Sequence, residues 1–442
     1  MARRETLGRP PGPRGHWLTG NTRAYEADRI GFLRRCHREY GDVFSYDEQT
    51  VFVIDPDLAH DVLARTGHGF VTELAPFDMR RDLDEAAAQA TAWMSARRAA
   101  WPGLNRSAAA ASDDRTVEIL DSVLADTAGR ETDVLTTMRA FTARAIADYC
   151  FGADSAGVPV LLDEIIHATQ PFTESSYEFP AWLPIPRHRH FFQAARRLTD
   201  VLTGIVRQRR ASRATAAPDD LLGSLLDAEP AMPDDTVAST LHSILMGGHG
   251  VPAAALTSVV WQLARRPRVA GDLRDEADRP TGDDALSTTA PSAAAPSAAA
   301  RLPLAEAVVR ETLRLYPPAW LMTRTAGTAT ALGDWSLDPG DDVLLNAYLI
   351  HRDPRWWRRP DEFDPDRWLT GRPAPGAACL PFGAGPRVCL GSTLAVRQLT
   401  LATSRLAQRF TVESPNAFSV VPEFMGRLAP AGLRARFAPV RR

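Results

Sequence analysis

The sequence predicts a mostly α-helical chain with small β-sheets, an α+β architecture. Three observations carry this reading. Helical periodicity dominates residues 113–263, it returns in LAEAVVRETLRLYPP and LGSTLAVRQLTLATSRLAQRF, and β-rich runs are short and fenced by turn residues. From the N-terminus, FLRRCHREY reads as an amphipathic helix that stops at Gly41-Asp42. The runs VFSY and TVFVI follow as short strands, and Asp55-Pro56 opens a second helix, making a helix–hairpin–helix unit. Within the long helical region, PFTESSYEFPAWLPIPRHRH is rich in Pro and aromatic residues and reads as a loop between two helices. Residues 281–300 (TGDDALSTTAPSAAAPSAAA) are apolar only through Ala, too little to offset ordering entropy, and are expected to be a mobile surface loop within a single domain spanning 1–442. After the helix around Glu311, the runs ATAL, WSL and DVLLNAYLI are expected strands separated by Gly333-Asp334 and Pro339-Gly340, and a β-rich tail follows the last helix.

The bulk numbers exclude several classes. With 442 residues and 45% hydrophobic content the chain can bury a large core. A net charge of −3 and 24% charged residues give no footprint for nucleic acid. All the basic residues besides His are Arg, which reads as coding bias. Cys36, Cys150, Cys379 and Cys389 lack CxxC spacing, which argues against a zinc site or a disulfide scaffold and suits a reducing cytosol. The first residues, MARRETLGRPPGPRGHW, contain no apolar run, and no segment reaches about 18 uninterrupted apolar residues, so a soluble, cytoplasmic protein without a membrane anchor is expected.

One cysteine demands its own explanation. Cys389 sits in Phe382-Gly-Ala-Gly-Pro-Arg-Val-Cys-Leu-Gly391, an FxxGxRxCxG pattern. Glycines let a backbone loop lie against a flat macrocycle, and amides at a helix start stabilise a thiolate. Upstream, Glu311 and Arg314 stand at i and i+3 on one helix face, by itself a common solvated pair. Farther on comes Phe363-Asp-Pro-Asp-Arg367-Trp368, and earlier in the chain Trp93-Met-Ser-Ala-Arg97.

Together these motifs resemble the cytochrome P450 superfamily over nearly the whole length of the chain, in its soluble bacterial form. The resemblance implies the cytochrome P450 fold, with heme b held between a long central helix and the cysteine-loop helix. It makes Cys389 the axial iron ligand, with Pro381, Phe382 and Gly391 of the same loop against the cofactor. It also assigns Trp93, Arg97, Arg324 and Arg387 to the heme propionates, which need cations at the porphyrin edge. Glu311, Arg314 and Arg367 become a buried structural network beneath the cysteine loop.

The same resemblance exposes a departure. Relatives carry [AG]GxxT in the central helix, with an acid before the Thr; this chain reads Leu245-Met-Gly-Gly-His-Gly-Val-Pro252. Gly247 and Gly248 match the small residues beside the heme. Gly250 replaces the acid, Val251 replaces the alcohol, and Pro252 removes a backbone donor. Cleaving the O–O bond of dioxygen needs two protons delivered into a dry pocket, and neither Gly250 nor Val251 carries one. His249, one position away, points about 100° aside and is expected to be a core or surface histidine.

Three functional readings stay open at this point: a monooxygenase, a heme-thiolate enzyme working on peroxide or on a substrate with an activated N–O or O–O bond (cyclisation, rearrangement or nitrene-like transfer), and a non-catalytic heme carrier or sensor. The enzymatic readings take a small apolar or aromatic substrate of secondary metabolism, with Phe77, Met79, Leu245, Met246, Trp320, Leu321 and Phe424 as expected pocket walls. Electrons would come from a separate ferredoxin or flavodoxin. A monomer is the default expectation.

Overall fold

The structure is a computed structural model that describes residues 8–72, 83–127, 129–173, 185–212, 220–279, 302–370, 376–424 and 426–440. It is mostly helical, with small sheets pressed against one side. The predicted helix–hairpin–helix unit is present as Arg29–Tyr40, Val43–Ser45, Thr50–Val53 and Pro56–Ala64. The last helix starts where Asp55 accepts the Leu58 N–H at 2.8 Å and Pro56 presets the first turn.

The hairpin belongs to a five-stranded mixed sheet completed by Phe70–Thr72, Leu321–Ala326 and Asp342–Asn346. Two details correct the strands expected here. DVLLNAYLI is a strand only to Asn346, whose side chain accepts the Leu349 N–H at 2.9 Å and caps a helical turn, Ala347–Ile350. Leu321–Ala326, not expected as a strand, runs antiparallel to Asp342–Asn346 with Arg324 opposite Val343. The ATAL and WSL runs form the hairpin Thr330–Leu332 and Trp335–Leu337 as expected. The loop expected within PFTESSYEFPAWLPIPRHRH and the 281–300 segment fall largely or wholly outside the described residues.

The central helix, Asp234–Arg265, is the axis of the fold. It is long and apolar enough to span a membrane by composition, but 61% of that window is buried inside the fold. Its closest partner is Val134–Phe151: a Cβ at Gly248 would lie 2.5 Å from the Ile146 side chain, so the two helices approach to backbone distance there. Pro303–Leu315, which carries Glu311, and the cysteine-loop helix, Ser392–Arg409, pack on its other flank and share a core with Leu256, Val260, Leu313 and Leu399.

Candidate active site

Between the central helix and the cysteine-loop helix lies a cavity of about 450 Å³. Trp93, Arg97, Gly247, Gly248, Val251, Arg324, Pro381, Phe382, Arg387, Cys389 and Gly391, every residue the sequence assigned to the cofactor together with Val251, line it.

The cysteine loop is shaped by its glycines. Gly383 and Gly385 adopt φ of +69° and +70°, and a Cβ on Gly385 would lie 2.3 Å from the Leu63 carbonyl oxygen, so the loop folds tightly onto the Pro56–Ala64 helix only with glycine there. This turn brings the Cys389 N–H to the Phe382 carbonyl at 2.9 Å and leaves the thiol facing the cavity just before the helix begins at Ser392. Burial pushes the Cys389 thiol up, while the Gly391 N–H and the Arg97 charge pull it down. A metal bound at the sulfur would decide this balance in favour of the thiolate.

Beneath the loop lies a network centred on buried Glu311 and Arg314. Arg314 donates to both Glu311 carboxylate oxygens at 2.9 and 2.8 Å, and both side chains are 0% exposed. Glu311 also accepts from Arg367, Trp368 and the Asp364 N–H, each at 2.9 Å. Arg314 spends its remaining donors on the carbonyls of His351, Pro360 and Glu362 at 2.7–3.0 Å. Burial alone would raise Glu311, but the Arg314 bonds and charge hold its carboxyl below the usual range. His351 finishes the linkage: its Nε2 accepts the Leu380 N–H at 2.7 Å, so Nδ1 carries the proton and donates to the Arg314 carbonyl at 3.0 Å. The Glu311 helix is thereby tied to the residue that precedes Pro381 and Phe382.

At the cavity rim the charges are one-sided. Burial lowers the Arg97 and Arg387 guanidinium pKa values, Arg387 is lowered further by Arg97, and no carboxylate among the described residues pairs with either. Arg387 lies over the Trp93 ring at 6.0 Å. Arg324 donates to Thr66 Oγ1 at 2.9 Å and to the Thr323 carbonyl at 2.8 Å. Three cations around an apolar slot with a thiol at its floor fit a flat, dianionic, iron-bearing macrocycle, whose two carboxylates would pair with Arg97 and Arg387.

The sequence profile described as Cytochrome P450 matches residues 10–430. The chain belongs to the cytochrome P450 family. Its cofactor is accordingly heme b. Among curated relatives, this cytochrome P450 is 34% identical over 322 residues to cyclooctatin synthase of Streptomyces melanosporofaciens, covering 70% of this chain and 68% of that one. It is 30% identical over 304 residues to cyclooctat-9-en-7-ol 5-monooxygenase of the same organism, covering 64% and 62%. The crystal structure of the cytochrome P450DA heme domain superposes with a TM-score of 0.80 at 21% identity, covering 99% of this chain and 98% of that one, a likeness of fold.

The expected substrate walls fare differently from the cofactor residues. Phe77 and Met79 lie outside the described residues. Leu245 and Met246 do not line the cavity, because the wall recurs at helical spacing through Ser243, Ile244, Gly247, Gly248, Val251, Pro252 and Ala255, and positions 245 and 246 fall off that stripe into the neighbouring core. Trp320, Leu321 and Phe424 pack into the core around the sheet, with the Phe424 ring edge-on to Trp320 and Tyr348. Pro318, Ala319 and Met322 face the cavity instead. Counting in steps of three and four from Gly247 would have found Ser243, Ile244 and Ala255.

Gly250, expected to be a catalytic position, does not line the cavity. A Cβ there would meet the Arg427 guanidinium carbon at 2.8 Å. His249 is fully buried against the Val134–Phe151 helix, with Nδ1 3.2 Å from Thr142 Oγ1 and Nε2 without a partner. Burial pushes its pKa down to about 4, with Arg139 and Arg427 adding to the shift against a partial offset from Asp163. It is a core histidine, as expected.

Proposed function

We propose that this cytochrome P450 is a cytoplasmic, monomeric monooxygenase of a small, largely apolar molecule in secondary metabolism, working as a single catalytic unit with electrons from a separate ferredoxin or flavodoxin. The observation that carries this reading is the shared cavity: the Cys389 sulfur on one side, Gly247 and Val251 on the other, and otherwise apolar walls from Leu104, Ile146, Ile244, Ala255 and Ala319. Both Streptomyces relatives named above support the secondary-metabolite assignment, one of them being a monooxygenase by name.

Heme b bound there supplies oxygen activation and one-electron chemistry. The protein supplies the rest. Cys389 would hold the iron, with the Gly391 amide and the helix start favouring the thiolate. Arg97, Arg324 and Arg387 anchor the propionate edge, and the apolar walls exclude water and position the substrate. Gly247, with open space where its Cβ would be, leaves room over the cofactor plane.

A second reading rests on one observation. Val251 faces the cavity without a hydroxyl, and Gly250 is covered by Arg427, so the central helix offers no side-chain proton donor at either position. This favours chemistry that bypasses dioxygen cleavage: peroxide use, or cyclisation, rearrangement or nitrene-like transfer on an activated N–O or O–O substrate.

Substrate-dependent oxygen consumption matched by product, compared with turnover under nitrogen, separates the two. The monooxygenase reading expects product only when oxygen is consumed, and more product per oxygen in Val251→Thr. Full turnover without oxygen overturns it. The heme-thiolate assignment itself expects the red-shifted absorption band of the reduced carbon monoxide complex, lost in Cys389→Ser.

A further inference from the structure

Arg427 stands between the paired strands Glu423–Phe424 and Leu428–Ala429, and its guanidinium lies flat on the central helix. Its carbon, Nη1 and Nε sit 2.8, 3.0 and 3.1 Å from where a Gly250 Cβ would project. Any larger residue at 250 would have to displace it, so the glycine is the seat of the arginine.

This guanidinium has no acceptor among the described residues, and burial lowers its pKa, with Arg139 adding like-charge repulsion. Arg139, on Val134–Phe151, has a buried Nε that is itself without an acceptor. His249 adds a third unsatisfied polar atom, its buried Nε2. Asp163, the acid that acts on this histidine, is half exposed and lies 3.5 Å from His167. Buried cations are ordinarily paired, because an unpaired one forfeits solvation with nothing in return. A largely desolvated guanidinium without an acceptor, such as that of Arg427, attracts an anion.

The place of the pair says which anion. Gly250 is three residues after Gly247, about 60° around the helix from a residue on the cavity face. The Leu428 N–H, next to Arg427, donates to the carbonyl of Pro318, a cavity-wall residue, at 3.0 Å. Arg427 does not itself line the cavity but stands next to the residue bonded to its wall at Pro318.

We propose that Arg427, assisted by Arg139, binds a carboxylate carried by the substrate, so that the molecule this enzyme takes is an otherwise apolar acid. This deepens the reading above and rests on it. One guanidinium matches the single charge and forked geometry of a carboxylate, and the second adds to its attraction from farther off.

The test uses the heme-loaded enzyme and probes that always report: imidazoles that coordinate the iron, bearing alkyl arms of graded length that end in a carboxylate or in its methyl ester. The shift of the main heme absorption band gives each affinity. In the wild type, one arm length should bind about tenfold or more tighter as the acid than as the ester, the size of one charge-assisted hydrogen bond. Arg427→Gln should abolish that preference and leave the ester's affinity unchanged, and Arg139→Gln should reduce it. Equal affinity of acid and ester at every arm length overturns the proposal, as does a preference that persists in Arg427→Gln. The reduced carbon monoxide band, recorded on the same samples, shows separately whether the heme-thiolate assignment stands.

Discussion

The two sides of the cavity are built to opposite rules. On the cysteine side, Glu311, Arg314 and His351 are buried with their charges and donors paired, Arg367 joins them from the edge with only its Nη2 unmet, and the loop before Cys389 hangs from them. On the opposite side, Arg427 has no acceptor among the described residues, and the buried Arg139 Nε and His249 Nε2 are left without partners. A satisfied polar network fixes one geometry, which a metal ligand requires. An unsatisfied one holds back binding energy that only a ligand can release. The difference teaches that met polarity is concentrated beneath the cysteine loop and unmet polarity beside the central helix across from it.

The largest expected effect tests the satisfied side. Arg314→Ala leaves Glu311 charged and buried without its bidentate partner and strands the carbonyls of His351, Pro360 and Glu362. Removing one partner of a buried pair costs about 3–5 kcal/mol, so the variant should yield little heme-loaded protein, read as the carbon monoxide band per mole of chain. A normal yield would deny that this network supports the loop.

His351→Leu should come next, at about 3 kcal/mol, because it strands the Leu380 N–H and the Arg314 carbonyl together. Urea midpoints of the two proteins measure it.

Acid sharpens the comparison further. Burial pushes His351 down to about 3 and His249 to about 4, so both stay neutral in the folded protein while the unfolded chain takes up protons below its ordinary value near 6.5. The unfolded state then binds more protons, and stability, full above pH 6.5, is lost as pH falls toward the folded values. Between pH 6.5 and 5 the cost is about 2 kcal/mol per histidine. The urea midpoint should therefore fall less steeply with pH in His249→Leu than in the wild type, and an unchanged slope would place that histidine in contact with water.

A smaller effect belongs to the helix crossing. Gly248→Ala drives a methyl into the Ile146 side chain, with its nearest atoms at 2.5 and 2.6 Å, and should cost about 1–3 kcal/mol by overpacking. Because Gly248 also lines the cavity, the heme band should shift as well.

The same division separates what was legible in the sequence from what was not. Cys389, the Glu311–Arg314 pair and the arginines at the heme edge stand in short motifs whose spacing survives in the fold. Arg367 joins Glu311 across a long stretch of chain, and only its place in a motif betrayed it. Arg427 stands in no motif: its seat on Gly250 depends on how a hairpin near the C-terminus crosses the central helix, and the sequence showed only the missing acid. The substrate walls were misread for a simpler reason. Hydrophobicity was taken as a sign of lining the cavity, but Leu245, Trp320 and Phe424 fill the core, while small residues such as Ser243, Pro318 and Ala319 border the space. A cavity is left where side chains are short.

The smallest predicted effect is the most discriminating. His249→Leu removes the hydrogen bond to Thr142, but Thr142 Oγ1 already reaches the Met138 carbonyl at 3.0 Å and is not stranded. The substitution also removes the partnerless Nε2, whose desolvation counts against the folded state. These terms oppose each other, so at pH 7 the urea midpoint should stay within about 1 kcal/mol of the wild type, against about 3 kcal/mol for the same change at His351. A loss at His249 as large as that at His351 would mean its ring nitrogens are both engaged, and the contrast between the two sides of the cavity would fail at its simplest point.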